Sequence, residues 1–194
     1  MIIDVGTGDG HAVLRRAAAD PRALVIGLDA VPAAMADASR RAARPLRKGG
    51  LPNASFVAAA VECLPAELHG LADEVTISLP WGSLLRGLLG EASAPGPRAE
   101  VDIAAGLAGL LRPEGRLRIV VSLVERDRVG DASSSRRIVR TFERAGLRAL
   151  EVRPAGPAEL REIGSSWARR LGAGSAARPA WWLRFERPGP GRSG

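Results

Sequence analysis

A single cysteine, Cys63, leaves this 194-residue chain without an internal disulfide and without any multi-cysteine metal site. Histidine is almost as scarce. His11 and His69 are the only two, too few for a histidine cluster, so no metal is expected. Tyrosine is absent altogether, which removes one of the usual acid–base side chains of hydride-transfer enzymes. No apolar run approaches the ~18 residues that a membrane span needs. The first residues, Met1-Ile2-Ile3-Asp4, lack the basic stretch and long apolar segment of a signal peptide. A cytoplasmic location away from membranes is therefore expected. Lysine is missing too, apart from Lys48, so arginine supplies nearly all of the 28 basic residues.

What remains is an ordinary globular composition, 46% hydrophobic and 25% charged, of a length that suits one domain with a sizeable core. The net charge of +7 points to an anionic partner such as nucleic acid. The same arginine bias, in a chain rich in Ala, Gly and Pro, also follows from a GC-rich coding sequence. Apolar blocks alternate with helical patterns, which predicts an α/β fold with a parallel sheet covered on both faces. Strands are expected at Ile2–Val5, Leu24–Leu28, Phe56–Ala60, Val75–Leu79, Arg118–Leu123, Arg148–Val152 and Trp181–Phe185. Helices are expected at Asp9–Ala19, Pro32–Arg44, Val101–Leu111 and Arg136–Ala145, with a turn at Pro113-Glu114-Gly115. Residues 1–187 read as one domain, and the Pro/Gly-rich residues 188–194 as a disordered tail.

The loop Asp4-Val5-Gly6-Thr7-Gly8-Asp9-Gly10 joins the first strand to the first helix. Glycines at alternate positions allow a sharp turn and close approach to a ligand at a helix N-terminus. The spacing is G-x-G-x-G, not the G-x-G-x-x-G of dinucleotide folds, which disfavours a nicotinamide-linked dehydrogenase. Asp29 ends the second strand, where a carboxylate can accept both ribose hydroxyls; the plainer reading is a helix N-cap. Glu62, just past the third strand, stands on the adenine side of the same cleft, or is simply a solvated loop carboxylate. The set fits S-adenosyl-L-methionine.

After the fourth strand comes Ser78-Leu79-Pro80-Trp81-Gly82. An aromatic in this loop can stack on a flipped base. Trp167, within Ser165-Ser166-Trp167-Ala168-Arg169-Arg170, lies in a Gly/Ser-flanked stretch beside two cations and reads as a second stacking ring. Trp181 and Trp182, inside a strand, are assigned to packing. Cys63 is not placed to act as a nucleophile.

Taken together, DVGTGDG at 4–10, Asp29, RKGGLPN at 47–53, Glu62-Cys63-Leu64-Pro65, LPWGSLLRG at 79–87 and SSWARRL at 165–171 make the chain resemble the aminoglycoside-resistance 16S rRNA methyltransferases that modify N1 of adenine-1408, the Kam/Npm type. That resemblance implies a class I methyltransferase fold, a Rossmann-like seven-stranded sheet with the last strand antiparallel. It implies S-adenosyl-L-methionine as cofactor, with S-adenosyl-L-homocysteine as product, and a monomeric enzyme acting on 16S rRNA in the 30S subunit. Asp4, Gly6, Thr7, Gly8, Asp9, Gly10, Asp29, Ala30, Val61, Glu62 and Leu79 are implied to hold the cofactor. Ser78, Pro80, Trp81 and Trp167 are implied to form the catalytic site, the two tryptophans sandwiching the adenine. Arg40, Arg41, Arg44, Arg47, Lys48, Arg86, Arg169 and Arg170 are implied to grip rRNA; a solvated helix face is the plainer reading of the first five. Members of this family carry a hairpin ahead of the first strand, whereas this chain starts at that strand. Either the true start lies upstream or docking is weakened. Two other functions stay open at this point: a small-molecule methyltransferase, and a non-catalytic RNA-binding relative.

Overall fold

The computed structural model describes residues 1–91, 101–122, 132–163 and 179–191. Its elements are β1 (Ile2–Val5), α1 (His11–Ala19), β2 (Val25–Asp29), α2 (Pro32–Ala42), β3 (Ala54–Ala58), β4 (Ala72–Ser78), α3 (Gly82–Leu88), α4 (Ile103–Leu110), β5 (Leu111–Ser122), α5 (Ala132–Arg144), β6 (Arg148–Pro154), α6 (Pro157–Ile163) and β7 (Ala180–Glu186). Short 3-10 turns at Leu46–Lys48 and Ala66–Leu68 flank β3.

The seven strands form one sheet in the order β3-β2-β1-β4-β5-β7-β6. Neighbours from β3 through β5 are parallel, and β7 slots between β5 and β6 antiparallel to both. The strand order reverses between β1 and β4. Ligands of open α/β sheets bind in the crevice at the carboxyl ends of the strands at such a switch point.

Side chains alternate across a strand, so each face has its own composition. One face presents Ile3, Val5, Ile26, Leu28, Val75, Ile77, Leu117, Ile119 and Val121, and packs into the main core with Leu85 and Leu88 of α3, Leu107 of α4 and Phe142 of α5. The Phe142 and Phe185 rings meet at 5.1 Å between centroids. The opposite face is apolar over β1–β3, where Val13 and Ala17 of α1 pack with Ile2 and Val25, and Leu14 packs with Ala38 and Ala42 of α2, and again toward the end of β5, where Val120 packs with Leu79, Trp182 and Ile163.

Between these two apolar patches that second face is polar. Glu74 and Thr76 of β4 pair with Arg116 and Arg118 of β5, and these with Glu186 and Arg184 of β7. Glu74 joins Arg16 (2.7 Å) to Arg118 (3.3 Å). Trp182 is buried with the Arg118 and Arg153 guanidinium carbons each 5.4 Å from its ring centre. Its packing role is as expected, against Leu79, Val120 and Ile163, and the two cations lie against its ring as well.

The structure shifts several expected boundaries, each for a local reason. α1 begins at His11 rather than Asp9, because Gly10 adopts a left-handed conformation that a right-handed helix excludes. β5 begins at Leu111 rather than Arg118, and the Pro113-Glu114-Gly115 turn is an irregularity inside it. There Glu114 takes φ 63° and the register against β4 slips. β3 lies two residues earlier than expected, at Ala54–Ala58, and α2 stops at Ala42. Two short helices were not expected. α3 occupies the stretch read as a substrate loop, and its seven residues show too little periodicity to declare a helix; Leu85 and Leu88 anchor it in the core. α6 starts at Pro157, a residue suited to a first helical turn.

Candidate active site

The β1–α1 loop is stitched to β2 by two hydrogen bonds, Gly6 N–H (2.8 Å) and Thr7 N–H (3.0 Å) both donating to the Leu28 carbonyl. Two of its glycines are required for different reasons. At Gly10 a Cβ would lie 2.6 Å from the Phe56 ring and 2.7 Å from the Ala38 Cβ, so side-chain-free backbone is what lets α1 and α2 close over β3. At Gly8 nothing lies within 4 Å of that position, yet φ is +59°. Gly8 therefore turns the chain with its face open to the cleft.

Asp29 couples this loop to the next one. Its Oδ2 accepts from Gly8 N–H at 2.8 Å and its Oδ1 from Val31 N–H at 2.9 Å. Val31, not Asp29, occupies the N-cap of α2, and no side chain caps that helix. Asp29 thus holds two loops together while each carboxylate oxygen keeps a further lone pair. Ala30 is exposed beside it. Across the cleft, Ala59 N–H donates to the Asp29 carbonyl (3.0 Å) and Cys63 N–H to the Ala60 carbonyl (2.9 Å). That turn holds Glu62 half-buried at the strand ends, with Val61 packed against the main core.

Asp4 sits in register between Gly27 of β2 and Thr76 of β4. Its carboxyl is buried, and the Thr76 hydroxyl donates to Oδ1 at 2.6 Å. Burial raises its pKa above the ordinary carboxylate range, outweighing the opposing pull of Thr76, Thr7, Arg118 and Arg15. Asp4 lines a cavity of about 290 Å³ with Ala12, Arg15, Ser78, Arg118 and Ile163. Arg15 closes one side by donating to the Ile163 carbonyl at 2.5 Å. Among the described residues, the Thr7 hydroxyl is the one buried side-chain oxygen or nitrogen without a hydrogen-bond partner of good geometry, although it lies near enough to Asp4 to favour its ionised form.

At the end of β4 the backbone is strained. Leu79, a residue with a branched side chain, adopts φ 51°, held there by burial and by its N–H donating to the Val120 carbonyl at 2.7 Å. Such conformations persist where the surroundings over-determine them, typically at functional sites. The turn buries Pro80 and throws Trp81 outward, 74% exposed, at the head of α3. Ser78 stays half-buried on the Asp4 side.

The structure therefore brings Asp4, the glycine loop, Asp29, Glu62, Ser78 and Trp81 to one end of the sheet. Arg40, Arg41, Arg44, Arg47 and Lys48 form a separate exposed group along α2 and the turn after it, and Arg86 is exposed on α3. Trp167, Arg169 and Arg170 lie outside the described residues, as do residues 192–194 of the expected tail. The sequence reading missed Thr76, Arg15 and Arg118. The period-two pattern Glu74-Thr76-Ser78 was the available signal, since it puts Thr76 on the face of Ser78; its pairing with Asp4 depends on strand register. Among the described residues no group of three His, Cys, Asp or Glu could hold a metal, and no helix is long and apolar enough to cross a membrane.

A doubly wound sheet of this order, with a glycine-rich first loop and carboxylates closing the next two strands, is that of the class I S-adenosylmethionine-dependent methyltransferases. Within that class the chain belongs to the 16S rRNA (adenine(1408)-N(1))-methyltransferase family, NpmA, whose family model matches residues 1–184. It is 33% identical over 181 residues to the 16S rRNA (adenine(1408)-N(1))-methyltransferase of Streptoalloteichus tenebrarius, covering 88% of this chain and 80% of that protein. Identity to the Escherichia coli protein of the same name is 30% over 186 residues, with 89% and 80% covered. Among solved structures, a tryptophan-to-alanine variant of the Catenulisporales acidiphilia 16S rRNA (adenine(1408)-N(1))-methyltransferase, determined with cosubstrate SAM, superposes with TM-score 0.80 at 33% identity, covering 100% of this chain and 88% of that one. The 16S rRNA methyltransferase KamB superposes with TM-score 0.80 at 31% identity, covering 96% and 87%.

Proposed function

We propose that this protein is an S-adenosyl-L-methionine-dependent 16S rRNA methyltransferase that modifies N1 of adenine-1408 in the assembled small ribosomal subunit and so confers aminoglycoside resistance, acting in the cytoplasm as a monomer without a metal. The observation that carries this reading is Trp81: a large ring 74% exposed, presented by a strained turn at the end of β4, three residues after Ser78 of the Asp4-lined cavity. A fold core does not leave tryptophan in that setting without a partner for its face, and a flipped base has two faces to offer.

S-adenosylmethionine, when bound, supplies an electrophilic sulfonium methyl. The residues placed to hold it are the Gly6–Gly10 loop, Asp29 for the ribose hydroxyls, Glu62 and Val61 for the adenine side, and Asp4 with Ser78 for the polar methionine end. A buried carboxylate is the natural complement of an ammonium group. The N1 lone pair of adenine is already nucleophilic at neutral pH, so no general base is required. Trp81 clamps and aligns the ring; Trp167, on the family resemblance alone, supplies the opposite face. The methylated ring is cationic, and the Ser78 hydroxyl and the carbonyls of the Ser78–Pro80 turn are the polar groups set to offset that charge.

The test is reverse-transcription primer extension through the decoding-site helix after incubation with S-adenosylmethionine and unmodified small subunits. N1 methylation blocks Watson–Crick pairing, so a new stop beside adenine-1408 is expected. Cofactor binding with no stop overturns the reading in favour of a non-catalytic relative. Asp29→Ala is expected to weaken cofactor affinity by ~10-fold or more, the scale of losing charge-assisted hydrogen bonds. Calorimetry showing unchanged affinity removes Asp29 from the ribose site.

A further inference from the structure

α6 depends on its neighbours for its place. Seven residues make a helix too short to hold itself together, so what fixes it is what it touches. At its start the Glu159 carboxylate accepts from Gly156 N–H (2.9 Å) and from Arg153 (2.7 Å), whose guanidinium also lies against the Trp182 ring. Further along, Leu160 and Ile163 join Leu79, Val120 and Trp182 in one apolar cluster. The last carbonyls of a helix have no partner inside it. That of Ile163 is met by Arg15, which reaches across from α1 and donates at 2.5 Å. A cation at that end also complements the helix dipole.

The cluster beneath α6 contains Leu79, the residue whose φ of 51° turns the chain outward to Trp81. A strained conformation lasts only while its surroundings leave it no room to relax. The Leu79 backbone is tied to the Val120 carbonyl at 2.7 Å, and its side chain is buried in the cluster that α6 closes. If α6 lifts away, Ile163 withdraws from that cluster and the turn is free to relax. Trp81, 74% exposed, follows the turn, because little else holds it.

We infer that Arg15 is a positioning residue for methyl transfer: by holding the Ile163 carbonyl it seats α6 against Leu79, and the seated turn aims Trp81 at the base. The inference rests on the proposed role of Trp81 as a clamp. Arg15 also lines the Asp4 cavity, where its charge favours the ionised carboxylate. Removing it therefore has two effects, a weaker hold on the cofactor and a lost seat for α6. Saturating cofactor cancels the first and leaves the second.

Single-turnover methylation of small ribosomal subunits, at saturating cofactor and subunit, reads the second effect alone. Arg15→Met is expected to lower that rate by ~10–100-fold, the scale of a misaligned reacting group. Arg15→Lys restores a charged donor and is expected to recover most of the rate. Ile163→Ala removes the buttress but keeps the charge beside Asp4. It is expected to lose rate by a similar ~10–100-fold while cofactor affinity stays within about twofold, and it decides the matter should Arg15→Met not fold. In a Trp81→Ala background, Arg15→Met is expected to add less than about twofold, because residues that act through one another are not additive. A further loss of about tenfold or more in that background shows Arg15 acting apart from Trp81 and overturns the inference. A wild-type rate in Ile163→Ala overturns it too, as does an Arg15→Met loss that saturating cofactor abolishes. Failure of the clamp reading looks different: Trp81→Ala then methylates at the wild-type rate, which overturns both.

Discussion

Replacing Trp81 with alanine is expected to lower kcat/KM for adenine methylation by roughly a thousandfold while the cofactor dissociation constant stays within about twofold. Base–aromatic stacking contributes ~1–3 kcal/mol per base, up to roughly a hundredfold. Loss of alignment at the reacting centre adds a further factor on the order of 10–10². The fold has little to lose in this substitution. The ring is 74% exposed, so its removal leaves no cavity, and the turn that presents it is held by Leu79 and Pro80 rather than by the indole. Trp81→Phe keeps a π-face and is expected to recover part of the rate, which a purely structural tryptophan does not explain. Single-turnover methylation of small subunits, with cofactor affinity by calorimetry, decides the matter. Parallel loss of cofactor binding and turnover shows that Trp81 supports the cleft instead of clamping a base.

Why Trp81 was legible from the sequence, and Arg118 was not, has a physical answer. A proline-tryptophan-glycine run directly after an apolar strand is a local signal, because turn chemistry and an out-of-place aromatic are both short-range. The glycine loop and Asp29 were legible for the same reason: each is a residue type at a strand end. The Asp4 cavity depends on register. Thr76 faces Asp4 only because β1 and β4 pair as Asp4 with Thr76, and Arg118 arrives only because β5 pairs as Arg118 with Thr76. Register between strands tens of residues apart is written in tertiary packing, not in local pattern. The seven strands themselves were legible from their apolar blocks, while the seven-residue helices α3 and α6 were too short for a 3.6-residue period to declare itself. The dual role of Asp29 illustrates the middle ground. The sequence offered ribose ligand or helix cap, and the structure places Val31 at the cap, leaving Asp29 as the tie between two loops.

Asp4→Asn is expected to make the cofactor-free protein more stable at neutral pH and the cofactor-binding protein worse. Burial holds the Asp4 pKa above its ordinary value. The stability linked to such a group is fully present below the unfolded carboxylate pKa of ~3.9 and is lost as pH rises through the elevated folded value. At neutral pH the wild-type chain therefore carries a cost, whether the carboxylate is ionised in a dry cavity or drawn into protonation against the solvent. Asparagine removes that cost while its side-chain oxygen still accepts from the Thr76 hydroxyl, the bond that spans β1 and β4. Thermal unfolding without cofactor should thus move upward in Asp4→Asn at neutral pH, and the difference from wild type should shrink as pH falls toward ~4. Cofactor affinity should move the other way. A charge-assisted hydrogen bond in a low-dielectric cavity contributes ~1.5–3 kcal/mol, which is ~10–150-fold in affinity. Wild-type affinity should also climb with pH as Asp4 ionises, and the variant should lose that dependence. An unchanged cofactor affinity makes Asp4 a strand tie alone. A lower unfolding temperature in the variant shows that the carboxylate is satisfied where it stands, through Arg15 and Arg118. The opposition of the two effects is the signature of a residue kept for binding at the expense of the empty fold.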